Sequence, residues 1–484
     1  MDKILEGLKP ELLWKHFDEI RKIPRCSGHE EAIGDYIVIF AKAHNLEYTR
    51  DEVGNIIVRK PATKGKENAP GVVLQGHIDM VCEKNSDVDF DFSKDPIKLK
   101  REGDWITADG TTLGADNGIG VAAALAVLED DSLVHGPIEA LFTIDEERGL
   151  TGAAYIKPGS LKGKILLNLD SEDDGIFTIG CAGGGDSIFK IKTETINPGN
   201  EKAVKIVVSG LKGGHSGIDI NTGRGNAVKI VARVLYEMRE KIDFELAVIE
   251  GGDKRNAIPR EAYAIVVLNN DEMGEAKKIA DCVLSEVKTE LKGTDDGVLI
   301  EIKDDNMPGK VLTKLLRDKV INTILALPHG VLAMSQAIEG LVQTSTNLAA
   351  VHTHEDSVKV VKSSRSSINS ELKFVLKSLK AFANLIEADI EQPNPYPGWA
   401  PNPDSEILKT MMKLHKELFG KEAVAEAIHA GLETGIIGEK FPGMDMISFG
   451  PTIKHPHSPD EKVQISTVER FWTLLTKTLE HLAG

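Results

Sequence analysis

From Glu11 to Lys22 the apolar residues recur at helical spacing, and residues 1–60 read as helix, helix, strand, with the strand at Asn55 to Arg59. The pattern then alternates. Gly71-Val72-Val73-Leu74-Gln75-Gly76 is an unbroken apolar run suited to a buried strand, and Gly120 to Leu128 is a helix of small residues. Ile138 to Ile144 and Lys164 to Leu169 are two more strands. Strands alternating with helices predict an α/β architecture: a mixed, mostly parallel sheet with helices on both faces. In such sheets functional groups collect at the carboxyl ends of the strands.

After Gly183-Gly184-Gly185 the character changes. Two similar α+β halves follow, each reading strand, helix, strand, strand, helix. The first includes Val204 to Ser209, Asn226 to Arg239, Glu261 to Leu268 and Glu275 to Leu291. The second includes Val298 to Lys303, Val311 to Leu327, Ser357 to Ser363 and Ser370 to Ile390. The proline-rich stretch Gln392-Pro393-Asn394-Pro395-Tyr396-Pro397-Gly398 blocks helix continuation and reads as a hinge. The expected organisation is a catalytic domain in two parts, residues 1–186 and 395–484, interrupted by a duplicated lid domain, residues 187–394.

Charge narrows the function classes. A formal net charge of -17 argues against nucleic-acid or anionic-membrane partners, which call for a basic surface. The longest uncharged apolar stretch, Gly118 to Leu128, is too short to span a bilayer, and the charged, amphipathic N-terminus is unlike a signal peptide. Cys26, Cys82, Cys181 and Cys282 lie far apart, so the expectation is reduced thiols in a cytoplasmic protein.

Five polar clusters stand where strands end. In Gln75-Gly76-His77-Ile78-Asp79, His77 and Asp79 share a face of extended chain, so a carboxylate can orient a metal-ligating imidazole; a surface HxD would look the same in isolation. In Gly114-Ala115-Asp116-Asn117-Gly118, Asp116 is either a helix cap or a carboxylate bridging two metals. Asp145-Glu146-Glu147 puts three acids in a row, a costly arrangement unless cations or solvent relieve it. Asp170 ends Leu166-Leu167-Asn168-Leu169-Asp170, and His455-Pro456-His457-Ser458-Pro459-Asp460-Glu461 lies near the C-terminus. Each has a bland alternative as solvated surface; five in this order are far more specific.

Together these clusters resemble the co-catalytic zinc peptidase family that contains carnosinases, aminoacylases and bacterial peptidases T and D. The long insertion, Ser363-Ser364-Arg365-Ser366-Ser367 and the His457-Ser458-Pro459-Asp460-Glu461 ending resemble the peptidase D branch, the aminoacyl-histidine dipeptidases. The resemblance implies two divalent ions, zinc first, with manganese or cobalt able to substitute. His77 and Asp170 would bind one, Glu147 and His457 the other, and Asp116 would bridge them. Asp79 would support His77, and Glu146 would be the general base in hydrolysis of dipeptides, Xaa-His included. His455 does not match a ligand position. In the insertion, His215 of Gly213-Gly214-His215-Ser216-Gly217 would stabilise the oxyanion, Asn256 would touch substrate, and Arg365 would fork its carboxylate. Glu433 of the glycine-rich segment from His429 to Gly435 would line the pocket. A related aminoacylase, carboxypeptidase or tripeptidase could use the same metal core. Relatives are often dimers, which leaves a homodimer open.

Overall fold

The strand Val72–His77 is buried along its whole length, as its apolar sequence demands of a strand with neighbours on both sides and on both faces. The structure, a computed structural model, describes residues 1–393 and 395–484; Asn394, the end of the expected insertion and part of the expected hinge, lies outside the described residues. The described residues divide into two compact units. One comprises Met1–Cys181, Pro401–Ala427 and Leu432–Gly484, the other Ala182–Ala400 and Ile428–Gly431.

In the first unit an eight-stranded sheet runs in the order Glu47–Arg50, Ile56–Lys60, Ile138–Thr143, Val72–His77, Ile165–Asn168, Asp445–Ser448, Ile176–Cys181 and Val424–Ile428. The four strands from Ile138–Thr143 to Asp445–Ser448 are mutually parallel, so their carboxyl ends form one edge. Ile56–Lys60 and Glu47–Arg50 add antiparallel on one side.

The helix Ala115–Glu129 starts earlier than its apolar run suggests and is buried from Ala115 to Leu128. Its small residues let it come close to the sheet. A Cβ at Gly120 would collide with the carbonyl oxygen of Leu169, and one at Gly76 with Asn117 Oδ1. Glycine at these positions therefore brings the helix start against the strand ends.

The second unit holds a nine-stranded sheet. Its path is Leu299–Asp304, Lys202–Ser209, Ala262–Leu268, Phe244–Gly251, Val342–Thr353, Ser357–Ser366, Gly183–Lys192 and Asp389–Glu391, with Gly330–Met334 paired to Val342–Thr353. Helices Ala227–Arg239, Met273–Glu290, Lys314–Ala326 and Asn369–Leu385 contribute to one shared core with it. Two predicted helices are shorter than expected. Val311–Leu312 pairs as a strand with Thr195–Ile196, so that helix begins at Lys314. The helix expected to reach Ile390 stops at Leu385; Glu387 turns left-handed at φ 52°, and Asp389–Glu391 joins the sheet.

The cysteines depart from expectation. Cys26 and Cys82 form a disulfide, with Cα atoms 5.6 Å apart despite 56 residues of separation. Cys26 bridges Met80 in a parallel contact, a pairing that spacing along the chain cannot reveal. Cys181 is buried and Cys282 is exposed. Among the described residues no helix is long and apolar enough to cross a membrane.

Candidate metal centre

At the carboxyl edge of the parallel strands, four segments converge in the first unit. His77 is the last residue of its strand, and Asp79 follows it. After Ile138–Thr143 the chain turns through Asp145, at φ 51°, into the short helix Glu146–Gly149. Asp170 lies just beyond Ile165–Asn168. His457, at φ 60°, is on the loop before Lys462–Gln464.

Asp116 is the centre of this geometry. Its Oδ1 lies 3.1 Å from His77 Nε2, and its Oδ2 lies 3.1 Å from His457 Nε2. Asp170 Oδ1 is 3.3 Å from His77 Nε2, and Glu147 Oε2 is 3.0 Å from His457 Nε2. Donor atoms of His77, Asp116 and Asp170 fall within 4.8 Å of one another, and so do those of Asp116, Glu147 and His457. Two donor groups thus share one carboxylate. His77, Glu146 and Glu147 form a third such set.

The donor chemistry fits a pair of divalent ions: two imidazoles and several carboxylates suit zinc and its neighbours. Glu147 Oε1 is buried without a hydrogen bond. Asp170 Oδ1, 3.3 Å from His77 Nε2, is likewise buried without one. Charge crowding points the same way. Burial pushes Asp170 up to about 6 and Glu146 well above the usual carboxylate range. Burial alone would lower His77, but Asp170, Asp116 and Asp79 outweigh it and hold it well above an ordinary histidine. Hydrogen bonds to Asp116 and Glu147 push His457 up to about 11. Cations would relieve these strained ionisations.

Asp79 is fully buried. Its Oδ1 lies 3.3 Å from His77 Nδ1 and accepts the Glu146 amide at 3.1 Å; its Oδ2 accepts the Glu147 amide at 3.3 Å and the Ser27 hydroxyl at 2.7 Å. Burial works against its ionisation, but His77 and these donors hold its carboxyl at about 2.

Glu433 is 1% exposed. Its Oε2 accepts from Gln75 Nε2 and Thr143 Oγ1, both at 2.6 Å, and its Oε1 is buried without a partner. Burial pushes its carboxyl up to about 7.

The second unit gathers its own polar groups. His215 pairs opposite Ala257, next to Asn256, whose carbonyl accepts the Ser216 amide at 2.8 Å. His215 Nδ1 accepts from the amides of Gly217 and Ile218 at 3.3 and 3.2 Å, which leaves the proton on Nε2. Arg365, 9% exposed, faces Ser345 across paired strands, and its Nε has no hydrogen-bond partner. Ser345 Oγ lies 2.7 Å from His429 Nε2. Burial, aided by the Arg365 charge, lowers His215 and brings His429 down to about 4.

The chain has known relatives. The model of peptidase family M20/M25/M40 matches residues 73–481, most of the chain. The chain belongs to this family. It is 42% identical over 480 residues to the cytosol non-specific dipeptidase of Escherichia coli, covering 99% of both sequences. Its fold superposes with a TM-score of 0.92 on a crystal structure of aminoacylhistidine dipeptidase from Vibrio alginolyticus, at 44% identity over 99% of this chain and 98% of that one. An aminopeptidase PepT from Bacillus cereus shares the fold alone, with a TM-score of 0.57 at 17% identity over 99% of this chain and 100% of that one.

Several supports of this site lie outside the clusters that stand out in the sequence. Arg25, 2% exposed, donates to the carbonyls of Ile78 and Asp79 at 3.1 and 2.8 Å and to that of Gly114. It thereby ties two clusters together from a segment without a motif. Ser27 was likewise invisible. Glu461 ends the motif His457-Ser458-Pro459-Asp460-Glu461, where nothing in the spacing marks its partners. His455, which matches no ligand position, is exposed.

Proposed function

We propose that this M20 peptidase is a two-metal dipeptidase that hydrolyses free dipeptides, Xaa-His among them, with zinc as the working metal and the cytosol as its location. The observation that carries the reading is Asp116, whose two oxygens each face a different imidazole at 3.1 Å. The names of its two full-length relatives, a non-specific dipeptidase and an aminoacylhistidine dipeptidase, support the substrate class.

His77 and Asp170 would hold one ion, Glu147 and His457 the other, with Asp116 shared. When bound, such a pair supplies Lewis acidity toward the scissile carbonyl and lowers the pKa of water. Glu146 takes the proton of the attacking water and returns one to the leaving amine. Asp79 fixes the His77 ring through Nδ1, and by holding the amides of Glu146 and Glu147 it also sets the base and a ligand. His215, protonated on Nε2, is the proposed donor to the oxyanion, with Asn256 beside it. Arg365 is the proposed fork for the substrate carboxylate. Glu433 belongs to the substrate-binding set through its unpartnered Oε1.

Elemental analysis after mild dialysis should find close to two zinc or manganese equivalents per chain. One tightly held ion that sustains full turnover would sink the two-metal reading. A panel of dipeptides, tripeptides and N-acyl amino acids assayed with the reconstituted protein should show dipeptides preferred; faster cleavage of the others would reassign the substrate.

A further inference from the structure

One side chain gathers the backbone amides of the turn that carries Asp116. Glu461 is 2% exposed, and its carboxylate accepts four successive backbone amides. Oε2 takes Leu113 and Gly114 at 2.8 and 2.9 Å; Oε1 takes Ala115 and Asp116 at 2.8 and 3.2 Å. Gly114 makes the turn possible with φ 70°. These amides lead into the helix Ala115–Glu129, whose Asp116 and Asn117 are not helical in φ/ψ, so no preceding helical turn offers them carbonyls. From the other side, Arg25 donates to the Gly114 carbonyl.

Glu461 lies four residues after His457, and its own carbonyl accepts from Thr107 Oγ1 at 2.7 Å. Lys462 pairs opposite Thr107 in the small sheet that follows. One short segment therefore presents an imidazole to Asp116 Oδ2 and grips the backbone of Asp116.

We infer that Glu461 is a positioning residue that sets the metal-bridging carboxylate of Asp116 and couples it to His457. It is not among the proposed metal ligands or substrate contacts. It fixes the Asp116 main chain so that the two carboxylate oxygens divide between the two ligand groups. A helix cap alone would require the carboxylate but not its shared segment with His457. The inference rests on the two-metal reading above.

The test is Glu461→Gln in the full-length protein. Glutamine keeps the shape and one acceptor oxygen but turns an NH2 group toward two amide donors. Zinc affinity is read by competition with a chromophoric chelator, alongside kcat, KM and the melting temperature of the metal-free protein. We expect at least one zinc equivalent to bind about 10–100-fold more weakly, the usual cost of losing a group that orients ligands. KM should stay within about twofold, since substrate contacts are untouched, and added zinc should restore kcat in part. Leu474→Ala, at a buried position of the C-terminal helix, supplies the comparison: it should lower the melting temperature and leave zinc affinity unchanged.

Unchanged affinity in Glu461→Gln, or weakening no larger than Leu474→Ala shows, would overturn the inference. So would a variant unfolded both with and without zinc, which would assign Glu461 to the fold alone. A variant that folds only when zinc is added would support it. Wild-type protein binding fewer than two equivalents would instead defeat the two-metal reading itself.

Discussion

Glu146→Gln should lower turnover by about two to four orders of magnitude, the range expected when a general base is lost. Glutamine matches the shape but cannot accept the proton of water. Metal content should be unchanged, because the proposed ligands are the neighbouring Glu147 and four residues elsewhere. The Glu146 amide would still bond to Asp79 Oδ1, so the local turn should survive the substitution. Single-turnover assays with metal analysis in parallel would check both halves. Near-normal turnover would pass the role of base to another group, and loss of metal would make Glu146 a ligand.

Arg365→Ala should lower kcat/KM for free dipeptides by roughly 30-fold to several thousandfold, the equivalent of about 2–5 kcal/mol for truncating one partner of a buried charge pair. Arg365 is 9% exposed with its Nε unsatisfied, the state of a guanidinium still lacking part of its complement. C-terminally amidated dipeptides should already be poor substrates of the unmodified protein and should lose much less on substitution. The gap between free and amidated forms would therefore narrow. Arg365→Lys should rescue only in part, because an ammonium lacks the planar fork. Equal cleavage of free and amidated dipeptides by the unmodified protein would remove the carboxylate clamp. Recognition would then have to come from the N-terminal amine.

The sequence displayed the parallel strands because burial on both sides forces apolar runs, and it displayed His77, Asp116, Glu147, Asp170 and His457 because each follows such a run or a glycine-rich turn. The structure brings these five together. What stayed hidden depends on distant partners. Glu461 meets amides 345–348 residues away, and Cys26 meets Cys82 across 56. Arg25 stands in no motif, and three buried carbonyl acceptors give it its task. The helix ends missed near Val311 and Leu385 were decided by short strand pairings that local spacing does not encode.

Beneath the proposed metal ligands, a row of polar side chains crosses the ends of the apolar strands. Glu433 binds Thr143 and Gln75, Asn168 Nδ2 donates to Gln75 Oε1 at 2.5 Å, Ser448 bonds to Asn168, and Ser171 lies 2.8 Å from Ser448. Strands apolar on both faces can slide past one another by a residue or two with little change in buried area, so hydrophobicity specifies their alignment weakly. The polar row removes that freedom. Gln75 stands opposite Asn168, and Asn168 opposite Ser448. A slip would strand each buried amide or hydroxyl without its partner, at about 1–3 kcal/mol apiece. The row thus works as an indexing mark on otherwise interchangeable strands. It fixes which residue emerges at the edge of each one, and so places His77 and Asp170 at the same height.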